Sequence, residues 1–362
     1  MIPLSAYWST FLQTSLALNT LWYGLMLLIY QYFPIGLVPG AVVTILAHFL
    51  RAPKPANSRL EKILGKDLHL VGEADTAENN NVLMRTVAHR GAGLDAPENS
   101  LIAFKQCATE GCMYIEFDVA LTKDGVPVVF HDRTFERVAN DKRNLRDLTF
   151  KELNSIDIAA NHPFKERYEG TRIPTLDATV KQLLADGQKM FIDIKESDYR
   201  MVPVINELYQ TFPTLYDNAV VTTFFPNIIY AIRKQDPQIV CSLAYRPYFF
   251  SNESYSFLTG VGPRRYNSLW KHYLACIVDT VHSWALPRIT CHFIGLSVIL
   301  LHKDCVSPQI IKEWRDRGIR PCVWTINKPV DKHYIHRTLK CTYLTDTLIG
   351  ENSMNMSDSK YN

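Results

Sequence analysis

From Met1 to Leu50 the chain has no aspartate, glutamate, lysine or arginine. That absence excludes an ordinary solvated domain start, and the missing basic n-region argues against a cleaved signal peptide. A strong excess of either charge is also missing, since 39 Lys and Arg oppose 36 Asp and Glu for a net +3. With its basic residues scattered, the chain lacks the electrostatic footprint and the motifs of a nucleic-acid binder. Cysteine is thin, at eight in 362 residues, and no CxxC or HxxxH spacing occurs, which excludes the usual zinc patterns. Several cysteines, such as Cys322 in RPCVW, sit in apolar strand-like runs where buried free thiols are expected.

What is present in the first fifty residues is apolar. Leu16 to Tyr32, with its flanks, suits a bilayer core of about 30 Å, so residues 1–50 are expected to anchor or span a membrane. Pro34, Gly36, Pro39 and Gly40 interrupt the pattern, and the second run is short, which predicts one span plus an interfacial segment, or a tight hairpin. Arg51, Lys54, Arg59 and Lys62 follow, and the positive-inside rule would place what comes after them on the cytoplasmic side of a plasma membrane or endomembrane. Residues 51–82 read as a solvated linker, 83–350 as the globular domain and 351–362 as a disordered tail.

Within 83–350, short β-branched runs alternate with stretches of helical period, the pattern of a parallel sheet closed by crossover helices and hence of a (β/α)8 barrel. RTVAH, YIEFDV, VPVVFH, MFIDIK, AVVTTF, IVCSLA, IGLSVI, RPCVWTI and TYLTD are nine candidates for eight places, so one is an edge or extension. Asn99-Ser100, Thr149 with Glu152, and Ser307-Pro308 carry helix-entry chemistry, while Gly111, Gly187 and Gly318 mark helix ends. Only VALTKDG, between YIEFDV and VPVVFH, is too short for a helix.

Polar residues gather at the ends of these apolar runs. His89, Arg90 and Gly91 close the first strand, at the face where barrel active sites lie. Glu116 and Asp118 are two apart on a strand, so both aim to one face, where two carboxylates repel unless a cation lies between them. Oxygen ligands of this kind suit Mg²⁺, or Ca²⁺, over a soft metal. His131 and Asp132 end the next strand, placing His131 opposite His89 across a small substrate, a general acid and base with ordinary pKa values of ~6.5. Asp193 and Lys195 add a third carboxylate and a cation. Taken singly, each has a plainer account: a hydrogen-bonded structural histidine, a solvated edge strand, an isolated ion pair. Three polar pairs at successive strand ends favour a site.

AHRGAGLDAPENSLIAF, YIEFDVALTKDGVPVVFHD, RIPTL, FIDIK and VWTIN, in that order over Val87 to Ile349, resemble the glycerophosphodiester phosphodiesterase family. With the apolar N-terminus and the segments FFPNIIYAIRKQDP, YRPYFF and LWKHYL, the chain is most similar to the animal membrane-bound type that hydrolyses glycerophosphoinositol. The resemblance implies a TIM barrel of the phosphatidylinositol-phosphodiesterase-like kind. It implies His89 and His131 as acid and base, Glu116, Asp118 and Asp193 as ligands of a divalent cation, and a substrate-binding set in which Arg90 contacts the phosphate, Glu98 orients the site, and Lys195 and Trp324 line the phosphate and glycerol pocket. Many members carry Glu where Asp193 stands. The implied reaction releases sn-glycerol 3-phosphate and an alcohol, through a cyclic phosphate formed by the glycerol 2-hydroxyl. Two other readings stay open: a lysophospholipase D acting on N-acyl glycerophosphoethanolamines, and a non-catalytic membrane scaffold.

An insertion at about 250–292 is longer than an ordinary crossover. Trp270, Tyr273, Leu274, Ile277, Val278, Trp284 and Leu286, interrupted by His272, Asp279, His282 and Arg288, predict an interfacial helix pair near the barrel mouth or an outer covering helix. Asn252-Glu253-Ser254 and Asn355-Met356-Ser357 are glycosylation sequons, so the chain is expected to be a glycoprotein if either is used.

Overall fold

The computed structural model describes residues 4–70 and 86–349. The chain divides into two compact units, Met1–Arg51 and Ala52–Asn362. The first is one helix, α1, running unbroken from Leu4 to Leu50. The break expected at Pro34 to Gly40 does not occur. Among the described residues no helix is long and apolar enough to cross a membrane, so the expected span lacks structural support. Thr14, Asn19, Thr20 and Gln31 dilute the apolar run.

The second unit holds eight parallel strands closed on themselves: β1 (Thr86–His89), β2 (Tyr114–Leu121), β4 (Lys189–Ile194), β5 (Ala219–Thr223), β6 (Cys241–Tyr245), β7 (Val298–His302), β8 (Arg320–Trp324) and β9 (Thr342–Thr345). Closure comes from β1, which pairs with β9 on one side and with β2 on the other. The ninth candidate, β3 (Pro127–Val129), is not a barrel stave. It folds back antiparallel on the end of β2, Val119 facing Val129, which is why VALTKDG holds a turn and no helix.

Strand alternation sorts the core. On β4, Met190, Ile192 and Ile194 pack outward under the helices, and Phe191 joins Val87, Val220, Val240, Val298 and Leu300 inside the barrel. Helices α3 (Leu101–Thr109), α4 (Leu176–Ala185), α5 (Met201–Thr211) and α6 (Pro226–Gln235) pack on the strands. The expected caps form: the hydroxyls of Ser100 and Ser307 accept from the Ala103 and Ile310 amides, and Thr149 with Glu152 makes a capping box. Thr175, not singled out from sequence, caps α4 in the same way, accepting from the Ala178 amide.

Residues 52–69 are not the expected solvated linker. Helix α2 (Asn57–Leu64) buries Leu60, Ile63 and Leu64 against the barrel's inner residues and plugs the floor. Arg320 Nη1 donates to Gly65 O at 2.6 Å, and Arg315 pairs with Asp67 at 3.0 Å. Lys62 pairs with Asp217 at 3.2 Å, and Arg59 lies 3.9 Å from the same carboxylate. Arg59 and Lys62, two of the four cations read from sequence as juxtamembrane charge, thus pair with a carboxylate of the barrel. A short amphipathic helix in a polar stretch was enough to make this a packed element. The remainder of the expected linker, 71–85, and the expected tail lie outside the described residues.

Candidate active site

At the opposite end of the barrel a cleft of about 1230 Å³ opens, lined among others by His89, Arg90, Glu116, His131, Asp193 and Lys195. Its floor is set by register: His89 sits beside Glu116, and Asp118 beside Asp193. Period-two alternation then turns all three carboxylates inward, with ligand oxygens within 4.8 Å of one another. The shorter side chain of Asp193 therefore still reaches the cluster.

The turn after β1 is built for close approach. Arg90, Gly91 and Ala92 have φ of 54°, 76° and 60°, and a Cβ on Gly91 would lie 2.7 Å from the Phe104 ring. Only glycine fits there. The turn delivers the Arg90 amide to Glu116 Oε2 at 3.0 Å and its guanidinium to Asp118 at 3.1 Å. Asn99 clamps Asp118 from both sides, donating to Oδ2 at 2.8 Å and accepting from the backbone N–H at 3.1 Å.

Glu98 does not line the cleft. It accepts from Arg90 Nη1 at 3.0 Å and from Arg137 at 2.6 and 2.7 Å, so it holds Arg90 from behind. Lys195 Nζ lies 2.7 Å from Asp118 and also bonds Asp193. Trp324 spends its indole N–H on Leu300 O at 3.0 Å and stands edge-on to Phe224 and His302, an apolar wall.

Both histidines have carboxylate partners: Asp346, which the sequence did not single out, and Asp132, read there as part of the His-Asp strand end with no role of its own. Asp346, just past β9, sits 2.5 Å from His89 Nδ1 and is held by Asn327 Nδ2 at 2.8 Å. Asp132 sits 2.5 Å from His131 Nδ1 and is held by Arg137 Nε at 2.7 Å. His131 reaches the mouth because β3 runs back along β2, with the Phe130 amide donating to Asp118 O at 3.0 Å.

The two imidazoles are pushed apart. Burial draws both down, but at His89 the charge of Glu116 and the bond to Asp346 outweigh it and raise the pKa. At His131 burial prevails over Asp118 and Asp132, helped by Lys195, and the pKa falls. Burial and the neighbouring Asp118 push Glu116 up to about 7. Asp118 is held well below the ordinary carboxylate range; burial opposes this, and Lys195 and Arg90 overcome it.

The carboxylates fit a hard divalent cation. They are buried, all-oxygen and convergent, and Asp193 Oδ1 is buried without a hydrogen-bond partner. Burial first, and then repulsion from Asp118, raise Glu116, and a bound cation would offset both.

The insertion departs from expectation. In place of a helix pair, Tyr255–Ser256 and Gly260–Val261 form a small hairpin, followed by one helix, α7 (Leu269–Ala285). Asn252, in the first sequon, is 7% exposed and donates its side-chain amide to Gly262 O at 2.8 Å. The second lies outside the described residues.

Residues 89–348 match the glycerophosphoryl diester phosphodiesterase family. The human protein named glycerophosphodiester phosphodiesterase 1 is 32% identical over 329 residues, spanning 90% of this chain and 93% of its own; the rat protein of that name is 32% identical over 312 residues, 86% and 88%. Among solved structures, a glycerophosphodiester phosphodiesterase from Agrobacterium tumefaciens covers 73% of this chain and 96% of its own, with a TM-score of 0.55 at 20% identity. An Oleispira antarctica phosphodiesterase, solved in complex with the product sn-glycerol-3-phosphate, covers 72% and 92% with a TM-score of 0.54 at 17% identity. Both share the barrel.

Proposed function

The chain belongs to the glycerophosphoryl diester phosphodiesterase family, and we propose that it hydrolyses glycerophosphodiesters, glycerophosphoinositol foremost, to sn-glycerol 3-phosphate and a free alcohol. The observation that carries this is the convergence of Glu116, Asp118 and Asp193 between two His–Asp pairs in one cleft. A scaffold needs none of these groups together.

In this reading Glu116, Asp118 and Asp193 hold Mg²⁺, with Ca²⁺ the alternative, and the cation when bound supplies Lewis-acid charge at a phosphoryl oxygen. Arg90 and Lys195 neutralise the phosphate. One of His89 and His131 takes the proton of the glycerol 2-hydroxyl as that oxygen attacks phosphorus. The other gives a proton to the departing alcohol oxygen. Reversing the two roles lets water open the cyclic phosphate. A second reading, N-acyl glycerophosphoethanolamines as substrates, is favoured by the apolar wall of Phe224, Phe249 and Trp324, where Phe224 and Phe249 stack at 4.2 Å.

A panel of glycerophosphoinositol, glycerophosphoethanolamine and its N-acyl form, assayed with Mg²⁺ and Ca²⁺ in turn, tests both. Fastest turnover of the inositol diester supports the first reading, and fastest turnover of the N-acyl substrate supports the second. Turnover of none of them contradicts the activity itself.

A further inference from the structure

Helix α7 is inside out. Its polar and small residues face the barrel: Ala275 is buried, Asp279 accepts from the Phe250 and Ser251 amides at 2.9 Å each, and His282 stands edge-on to Phe250 at 5.5 Å. On the opposite stripe, spaced i, i+3, i+7 and i+14, Trp270, Tyr273, Ile277 and Trp284 are 54–67% exposed. A helix on a water-facing surface has the reverse pattern. The hairpin of the same insertion carries Phe257 and Leu258 at its tip, 76% and 89% exposed. Such a concentration marks an interaction surface.

Charge identifies the occupant. Of the insertion's two carboxylates, Glu253 lines the cleft and Asp279 is turned inward, so the exposed charges around the apolar stripe and the hairpin are the cations Arg264, Lys271 and Arg288. Lys271 Nζ and the Arg288 guanidinium lie 5.6 and 5.5 Å from the ring centres of Trp270 and Trp284. Tryptophans flanked by cations suit the boundary between headgroups and acyl chains. A second copy would set cation against cation in a two-fold contact. The helical run continues from α7 through Leu286–Thr290 to Phe293, but Leu286 and Cys291 are 1% exposed within the barrel core and Asp279 is tied to the 250–251 backbone, so the helix lies against the barrel and cannot span.

We infer that the insertion docks on an anionic lipid surface, α7 lying in the interface with the Phe257–Leu258 tip inserted. The 247–253 segment that α7 grips also supplies Phe249 to the cleft, and Tyr255 of the hairpin lines it. Docking therefore sets the substrate cleft beside the lipid.

The test uses the full chain carrying W8F and W22F, mixed with vesicles of acyl-brominated phosphatidylcholine containing phosphatidylserine. Tryptophan emission is expected to be quenched, and further W270F/W284F substitution to abolish the quenching, because Trp314 is 6% exposed and Trp324 lies within the cleft. K271Q and R288Q should each weaken docking about fivefold. F257S/L258S should weaken it with circular dichroism unchanged. Absence of quenching, equal quenching on phosphatidylcholine alone, or emission shielded by self-association in sedimentation would each overturn the inference.

Discussion

Asp346 stands 2.5 Å from Nδ1 of His89, although 257 residues separate the two along the chain. That bond fixes the imidazole so that Nε2 faces the cluster, 3.8 Å from Glu116, and raises the pKa of His89. A divalent cation on Glu116 cancels that carboxylate's charge, leaving Asp346 as the partner that supports the imidazolium.

Asp346→Asn should therefore lower kcat about 100-fold. It removes an influence that raises the pKa of His89, so the limb of the kcat/KM profile belonging to His89 should move to lower pH. A pH–rate profile of the variant checks both, and an unmoved limb would mean that Asp346 acts on folding alone.

Cation binding should release a proton. Glu116 is pushed up to about 7 and so is protonated below that pH in the cation-free cleft, whereas a ligand carboxylate must be ionised. Affinity for Mg²⁺ should fall as pH drops below that value. Calorimetry in two buffers of different ionisation enthalpy reads the proton directly, and Glu116→Gln should abolish its release.

The α2 plug should be part of the stability of the barrel. Ile63 is 1% exposed within the inner core, and Ile63→Ala is expected to cost about 2–5 kcal/mol in chemical denaturation of the full chain. A loss under about 0.5 kcal/mol would make the segment an ornament.

Much of this site was legible because barrels put chemistry at strand ends. Glu116 with Asp118, and Asp193 with Lys195, are paired by period two alone, and the structure brings all four together. Asp346 follows the same rule at the end of TYLTD. Nothing local distinguished it from a polar turn residue, because its partner lies across the closure of β1 on β9. Glu98 holds Arg90 together with Arg137, which lies 39 residues further along the chain, a partnership that nothing in the PEN turn announces. The α2 plug was hidden by polar flanks, since its three apolar contacts are with strands far along the chain. The topology of β3 depended on the sign of one pairing, which neither composition nor length encodes.

The proposed hydrolysis needs a carboxylate-held divalent cation working with two histidines. Glycerol 3-phosphate release from glycerophosphoinositol, followed with Mg²⁺ and with excess chelator for the wild type, His89→Ala and Glu116→Ala, tests it most directly. Release should vanish with chelator, return with added Mg²⁺ or Ca²⁺, and fall at least about 100-fold in each variant. Release that persists in both variants would contradict the account.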